Sequence, residues 1–548
     1  MSEFKTPGVF VEEVSKFPPS VAQVETAVPS FIGYTQKAPE DLKPKKITSL
    51  VEYEMYYGGV YKESIELQDT VNGLTLVKPD VQFLMYYSLQ MYFANGGGPC
   101  YIISVGKYDS TSIERSKLEL GLADSEDFEE STLVVFPDAV SLSETDFYTL
   151  YQGAVTQAET LKNRFVILDT YLGDSSTATT IGGMPGNTIK HLRTINSSIH
   201  AAAYFPHLKT VLNYAFDEEV QIKHSGLQTG SGPFFNEAKN QLTALQSQAN
   251  AEQNSAQPDT DVFIDLLEQV ITIVEDVNLT ADQQIVSTTV QGYLDQAISG
   301  TLNTSLVAGA IGNLAAAVQT AEDKKGAAND ITLKLLKTTN SELYNQIKKK
   351  IESLNVVLAP SSSIAGIYAK IDATKGVWKA PANVGLNYVV APTEKISDTE
   401  QESLNVDLAA GKSVNAIRTF MGKGTLVWGA RTFDTSGTEW KYISVRRLFD
   451  MIEKSLQNAT ERFVFEVNDA STWVRVKAIV ENYLNQLWMS GALAGSVPED
   501  AYQVKVGLNE TMTQTDIDAG KMNIEIGIAA VRPTEFIVLR FSHKLQEA

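Results

Sequence analysis

The sequence predicts a multidomain α/β protein. It has a doubly wound, mostly parallel sheet interrupted by a helical insertion, then an α+β C-terminal domain, with a strand at each chain end to be donated elsewhere. Three observations predict it. Apolar strands alternate with helices from Phe31 to Phe205. Composition changes abruptly near residue 217 and changes back near 355. The last hundred-odd residues, from Trp428, hold two amphipathic helices and a strand-rich tail.

In chain order, residues 1–30 read as an arm. Val9-Phe-Val-Glu-Glu-Val14 is a short strand candidate, and Pro18, Pro19 and Pro29 keep the rest of the arm extended. A strand fenced in this way cannot fold back through a tight hairpin, so it must pair with something distant. Residues 79–95 predict a helix stopped by Gly96-Gly97-Gly98, and Cys100 to Val105 a strand. Leu133-Val-Val-Phe136 and Phe165-Val-Ile-Leu168 are wholly apolar strands on either side of a helix from Glu144 to Lys162. A helix at 187–196 and a strand at 199–205 complete the run. Apolar strands separated by helices of this length imply a parallel sheet covered on both faces.

Residues 217–355 contain no Arg, Trp or Cys, and carry eighteen acids against nine lysines. Phe263, Leu266, Leu267, Val270, Ile271 and Val274 form one helical stripe, and Leu333, Leu335, Leu336, Leu343 and Ile347 suggest another. A helical insertion accounts for this, with its flanks at 203–206 and 357–360 expected to be neighbours in space. Residues 364–390 then read as mixed strand and turn, 394–413 as polar with a loop at the end, and 417–428 as two short strands joined through Gly422 and Gly424. Val445, Leu448, Phe449, Ile452 and Leu456 place one helix at about 444–460. Trp473, Val476, Ile479, Val480, Tyr483, Leu484, Leu487 and Trp488 place a second at about 471–490, capped by Asp469 or Ser471. Tyr502 to Val506, Met522 to Ile528 and Phe536 to Phe541 alternate as strands.

Composition narrows the function. At 548 residues, 43% apolar and 20% charged, the chain is a globular protein of two to four domains. A formal charge of −21 disfavours a nucleic-acid partner, which needs a basic face. The single cysteine, Cys100, excludes an internal disulfide and a cysteine-rich zinc site. No run of about 18 apolar residues predicts a membrane span, and the start lacks the apolar core of a signal peptide.

The motifs that could carry chemistry are thin. Gly411-Lys412-Ser413 ends like a phosphate loop, but Val406 stands where the first glycine belongs, so a turn is expected. Gly96-Gly97-Gly98 follows a helix, as a C-cap does, and Gly182-Gly183-Met-Pro-Gly186 reads as a surface loop. Asp138 and Asp169 follow apolar strands, and His200 and His207 lie within a third or just after it, so a Ser/His/Asp hydrolase is conceivable. Without a nucleophile elbow or H-E-x-x-H helix, capping and core hydrogen bonds are the expected roles. Lys348-Lys349-Lys350 reads as a solvated helix end. No catalytic residue, cofactor site or metal site is assigned.

Taken together, several stretches resemble the contractile tail sheath proteins of phages and phage-like injection systems. They include Thr6-Pro-Gly-Val-Phe-Val-Glu-Glu13, Leu426-Val-Trp-Gly-Ala-Arg-Thr432, Trp440-Lys-Tyr-Ile-Ser-Val-Arg-Arg-Leu-Phe449, Ile524-Glu-Ile-Gly527 and Val531-Arg-Pro-Thr-Glu-Phe536. The resemblance covers most of 1–205 and 357–548, and implies nothing for 217–355. It implies a helical homopolymer around an inner tube, contracting without nucleotide hydrolysis to drive the tube through a target envelope. Partners would be further copies of the chain, paralogous sheath subunits, the inner tube, and baseplate and terminal cap proteins, with no direct nucleic-acid or membrane partner. Assembly in a bacterial cytoplasm is implied too, with release by lysis or retention in the cell. The implied division is an arm at 1–30, a subtilisin-like middle domain at 31–216 and 356–415, and a C-terminal domain at 416–548; the change of composition at 217–355 places that insertion on the outer wall. Val9, Phe10, Val11, Glu12 and Val14, with Phe536, Ile537, Val538, Leu539, Arg540 and Phe541, would be strands donated to neighbouring subunits. Lys441, Arg446, Arg447 and Arg475 are the expected tube-facing residues. The alternatives are a doubly wound hydrolase and a non-contractile tube protein.

Overall fold

The computed structural model describes residues 21–37, 43–70, 73–79, 83–108, 112–173, 187–226, 234–275, 281–319, 326–406, 411–434 and 436–536. They divide into two units, one drawn from 1–61, 81–212 and 356–548, the other from 62–80 and 213–355.

The first unit is built on a nine-stranded sheet. Its order is Val384–Gly385, Gly424–Val427, Val414–Phe420, Ala201–Phe205, Phe165–Leu168, Leu133–Val135, Pro29–Thr35, Cys100–Lys107 and Lys45–Ile47. From Val414–Phe420 to Cys100–Lys107 every pairing is parallel, with Val414 opposite Ala203, Val166 opposite Ala201 and Ile32 opposite Ile103. The pairings outside this block are antiparallel. Side chains alternate across the sheet. Ile32, Ile103, Val134, Val166 and Ala203 face a layer made by the Arg115–Asp124 and Glu144–Leu161 helices. Phe31, Ile102, Leu133, Val135, Phe165 and Tyr204 face the Leu50–Tyr57, Met85–Ala94 and Ser361–Lys375 helices. Burial on both faces is why these strands are apolar throughout.

Residues 361–375, read from sequence as mixed strand and turn from 364 onward, are a helix. It is buried over most of its circumference, so it shows no polar stripe, and Gly366 further weakens a sequence-level helix reading. A Cβ at Gly366 would lie 2.5 Å from the Tyr92 carbonyl oxygen, so glycine is what lets this helix lie against Met85–Ala94. Elsewhere, Asp398–Asn405 is a helix with a capping box within the stretch read as polar, and the helix expected at 187–196 shrinks to Thr188–Leu192. The chain leaves this unit along Leu208–Asn213 and returns along Asn355–Leu358. The two strands lie side by side in a small sheet completed by Val389–Pro392.

The C-terminal block matches the expected helices closely, at Ile443–Thr460 and Ala470–Met489. Leu448, Ile452, Leu456, Val476, Val480, Tyr483 and Leu484 make its core. Asp469 caps the second helix by accepting from Thr472 N at 2.9 Å. Tyr502–Lys505 and Glu525–Ile528 pair antiparallel as a two-stranded sheet.

In the second unit, helices Phe234–Gln253, Thr260–Val274, Ala281–Ile298 and Val307–Gln319 enclose Leu242, Phe263, Leu267, Val290, Ile311 and Leu314. A second cluster places Leu333, Leu336 and Ile347 against the hairpin Glu66–Thr70 and Gly73–Leu76, which pairs with Lys223–Ser225. Leu335, expected on that stripe, is exposed. The structure groups this hairpin with the insertion, whereas the sequence pattern places residues 62–80 in the middle domain.

Candidate functional site

The four residues that suggest a hydrolase are occupied by the fold. Asp138 is fully buried and accepts from Tyr34 N at 2.7 Å and Leu84 N at 2.6 Å, the latter at the start of the Met85–Ala94 helix. Asp169 accepts from Ser361 N at 2.9 Å, at the start of the Ser361–Lys375 helix, and from the Tyr151 hydroxyl at 3.1 Å. Each acid thus ties the carboxyl end of a strand to a helix amino terminus, where free N–H groups favour an anion. Burial pushes the Asp138 carboxyl up to about 7 and that of Asp169 to about 6, against the pull of these donors. His207 sets its Nε2 2.8 Å from the Thr170 carbonyl. His200 precedes its strand, so it lies at the opposite strand end from Asp169. The two are therefore separated by roughly 13 Å of strand, and the fold does not bring them together as a triad. His200 lies buried between Glu159 and Asp450, at 3.4 and 3.6 Å.

The glycine motifs act structurally. Lys412 donates to the Arg193 carbonyl at 2.8 Å, and Ser413 to Asn405 O at 2.6 Å, which pins Gly411-Lys412-Ser413 as irregular chain ahead of a strand. Gly96, at φ 95°, ends the helix before it. Lys348 pairs with Glu218 at 3.1 Å. Gly182 to Gly186 lie outside the described residues. Among the described residues no His, Cys, Asp and Glu group is arranged to hold a metal ion.

The four cations expected to face a tube fare differently. Arg447 is 4% exposed and forks onto Asp372 at 2.5 and 3.1 Å, with its guanidinium 4.5 Å above the Tyr368 ring. Arg446 is buried too, bound to Asp450 at 2.8 Å and Glu453 at 3.0 Å, over Trp440. These two are corrected: helical periodicity places them off the apolar stripe, but Arg446 is buried between carboxylates of its own helix and the Trp440 ring, and Arg447 between Asp372 and Tyr368 of another helix. Lys441 is partly exposed, 3.6 Å from Glu535. The Arg475 side chain is 53% exposed and pairs with Glu466 at 2.9 Å.

The most informative geometry is at the chain ends. Val9 to Val14 and Ile537 to Phe541 lie outside the described residues, but the segments leading to them do not. Val21 and Val24 pack into the same C-terminal cluster as Ile528 and Ala530. Two segments more than five hundred residues apart in sequence therefore share one hydrophobic block. Phe536, where the described chain ends, is exposed. Tyr502–Lys505 and Glu525–Ile528 pair only with each other among the described residues, so each keeps one open edge there. A lone pair of strands is marginal, and open edges are ready acceptors. Sequence reasoning missed one residue of this region, Arg431. It is 4% exposed and forks onto Glu535 at 2.8 and 2.7 Å. Its partner is 104 positions away, so no local pattern could have shown it.

Comparison with known proteins gives concordant matches. The family model for the phage tail sheath C-terminal domain matches residues 435–544. The chain is 24% identical over 182 residues to the tail sheath protein of Vibrio phage KVP40, covering 33% of this chain and 26% of that one. It is 29% identical over 140 residues to the tail sheath protein of Burkholderia phage BcepMu, covering 25% and 29%. The matched stretch thus spans only about a quarter of the length of these relatives. Among solved structures, a chain of the anti-feeding prophage baseplate matches with a TM-score of 0.57 and 26% identity, over 99% of this chain and 100% of that one. A chain of an extracellular contractile injection system, the PVC sheath complex in its contracted state, matches with a TM-score of 0.56 and 25% identity, over 100% and 99%.

Proposed function

Because this chain belongs to the contractile tail sheath family, we propose that it polymerises helically around an inner tube and contracts to drive that tube through a target envelope. Its role is structural rather than catalytic. The observation that carries the reading is that segments near both chain ends pack into one block, together with a two-stranded sheet whose outer edges are unpaired among the described residues. Strands at Val9–Val14 and Phe536–Phe541 would add to the sheets of neighbouring copies. At about 1 kcal/mol net per backbone bond, each joint would contribute a few kcal/mol. Head-to-tail joints that do not close build open helices.

Under this reading the domains are the arm at 1–30, the middle domain at 31–216 and 356–415, the insertion at 217–355 on the outer wall, and the C-terminal domain at 416–548. Arg475 and Lys441 are the cations left available to a tube. The further partners are a baseplate and a terminal cap, and assembly occurs in a bacterial cytoplasm. Contraction is downhill: the extended polymer is held kinetically, and new lateral contacts between bodies lower its free energy. Electron microscopy of the chain co-expressed with its tube protein tests this. Striated hollow tubes of two lengths and widths are expected, and a dispersed monomer at high concentration would reject it.

A further inference from the structure

Both ends of the described chain are held by the same chemical device. At the amino-terminal end, Arg447 forks onto Asp372, and its Nη2 also donates to the Thr26 carbonyl at 2.8 Å. The Thr26 hydroxyl donates to Asp372 Oδ2 at 2.6 Å, so backbone and side chain of one arm residue are both caught in the pair. Ser455 Oγ accepts from Val24 N at 3.1 Å, and Thr132 Oγ1 accepts from Val28 N at 2.9 Å, which sets the direction on either side. At the carboxyl-terminal end, Arg431 forks onto Glu535, Tyr442 donates to the same carboxylate at 3.2 Å, and Arg431 Nη1 donates to Asn405 O at 2.7 Å. Burial pulls the Glu535 carboxyl up, but Arg431, Lys441 and Tyr442 together hold it below the usual carboxylate range.

The two pairs share a mounting. Arg431 bridges to Tyr442, which caps the Ile443–Thr460 helix, and Arg447 sits near the start of that helix. An apolar contact would hold these segments as firmly, because a buried ion pair recovers little beyond its own desolvation. A forked pair adds direction: two parallel bonds fix both position and angle.

We propose that Arg447–Asp372 and Arg431–Glu535 are mooring clamps. They fix where, and at what angle, the two terminal strands leave the body, and load passed between subunits during contraction ends at these clamps. This rests on the strand-exchange reading above. Arg431, Glu535, Arg447 and Asp372 are positioning residues: they need not touch the neighbouring subunit.

The test uses the full-length chain carrying Arg447→Lys or Glu535→Gln, each of which keeps shape and loses the fork. Arg446→Lys is the control, since that arginine is equally buried but pairs within its own helix. Amide exchange on the soluble chain should rise at least tenfold at 24–28 in Arg447→Lys and at 529–532 in Glu535→Gln. Exchange at 133–135 and 165–168 should stay unchanged. The yield of sedimentable polymer with the tube protein should fall at least tenfold for both, and match wild type for Arg446→Lys. An unchanged yield in both clamp variants, or an equal loss in the control, overturns the proposal. If a clamp variant exchanges faster everywhere, Thr26→Val and Tyr442→Phe replace it, with about threefold losses expected. Failure of the wild-type chain to polymerise would instead overturn the sheath reading itself.

Discussion

Asp138 shows how a residue with the right position for catalysis can be used up by architecture. Both its oxygens accept from backbone amides, so an amide side chain there would aim its NH2 at an N–H. Asp138→Asn should therefore destabilise the first unit by about 1–3 kcal/mol at pH 5, measurable by urea unfolding. Its pH dependence has a definite sign. The folded carboxyl titrates near 7, above its ordinary 3.8, so its contribution is fully present below about pH 4 and is lost as pH rises through 7. Relative to the Asn variant, wild type should lose about 2–3 kcal/mol between pH 5 and pH 8. A parallel pair of stability curves would show that this acid is not raised. Arg447 makes the complementary point: a residue placed on a polar face by spacing is buried by partners from a distant element.

Among the elements, the Ser361–Lys375 helix is one the sequence concealed. Alanine is a better helix former than glycine by about 1 kcal/mol, so Gly366→Ala would stabilise an exposed helix. Here the new methyl would meet a backbone carbonyl, which cannot swing away, and overpacking of that kind costs about 1–3 kcal/mol. The clash should win, and calorimetry should show a lower Tm for Gly366→Ala; a higher one would mean the two helices can part without loss. The C-terminal helices were legible because each has one wet face, whereas a helix covered nearly all round carries no periodic signal. The Tyr502–Lys505 and Glu525–Ile528 pair were legible as strands, but their open edges belong to no residue pattern.

For the whole molecule, the hairpin at 66–76 changes how the insertion can be removed. Deleting 217–355 takes away Lys223–Ser225 and the helices that cover Ile65 and Leu67. The truncated chain should polymerise but be poorly soluble, and Ile65→Thr with Leu67→Gln should restore its solubility. Loss of polymer in the resolubilised chain would show that the insertion takes part in the joints. Contraction itself should need no nucleotide. Extended particles should shorten under acid, denaturant or heat in the absence of ATP, as seen by electron microscopy, and strict ATP dependence would reject a kinetically held sheath.

Periodicity and composition alone determined the mixed α/β class, the parallel run of apolar strands, the acidic helical insertion and the two C-terminal helices. They could do so because each is a local pattern repeating over a few turns or strands. The resemblance in ordered short motifs carried the family. Only the tertiary structure decided that Asp138 and Asp169 cap helices, that Arg447 is enclosed, that residues 62–80 join the second unit, and that Arg431 meets Glu535. Those outcomes depend on contacts between residues from tens to hundreds of positions apart, and such contacts leave no periodic trace in the chain that makes them.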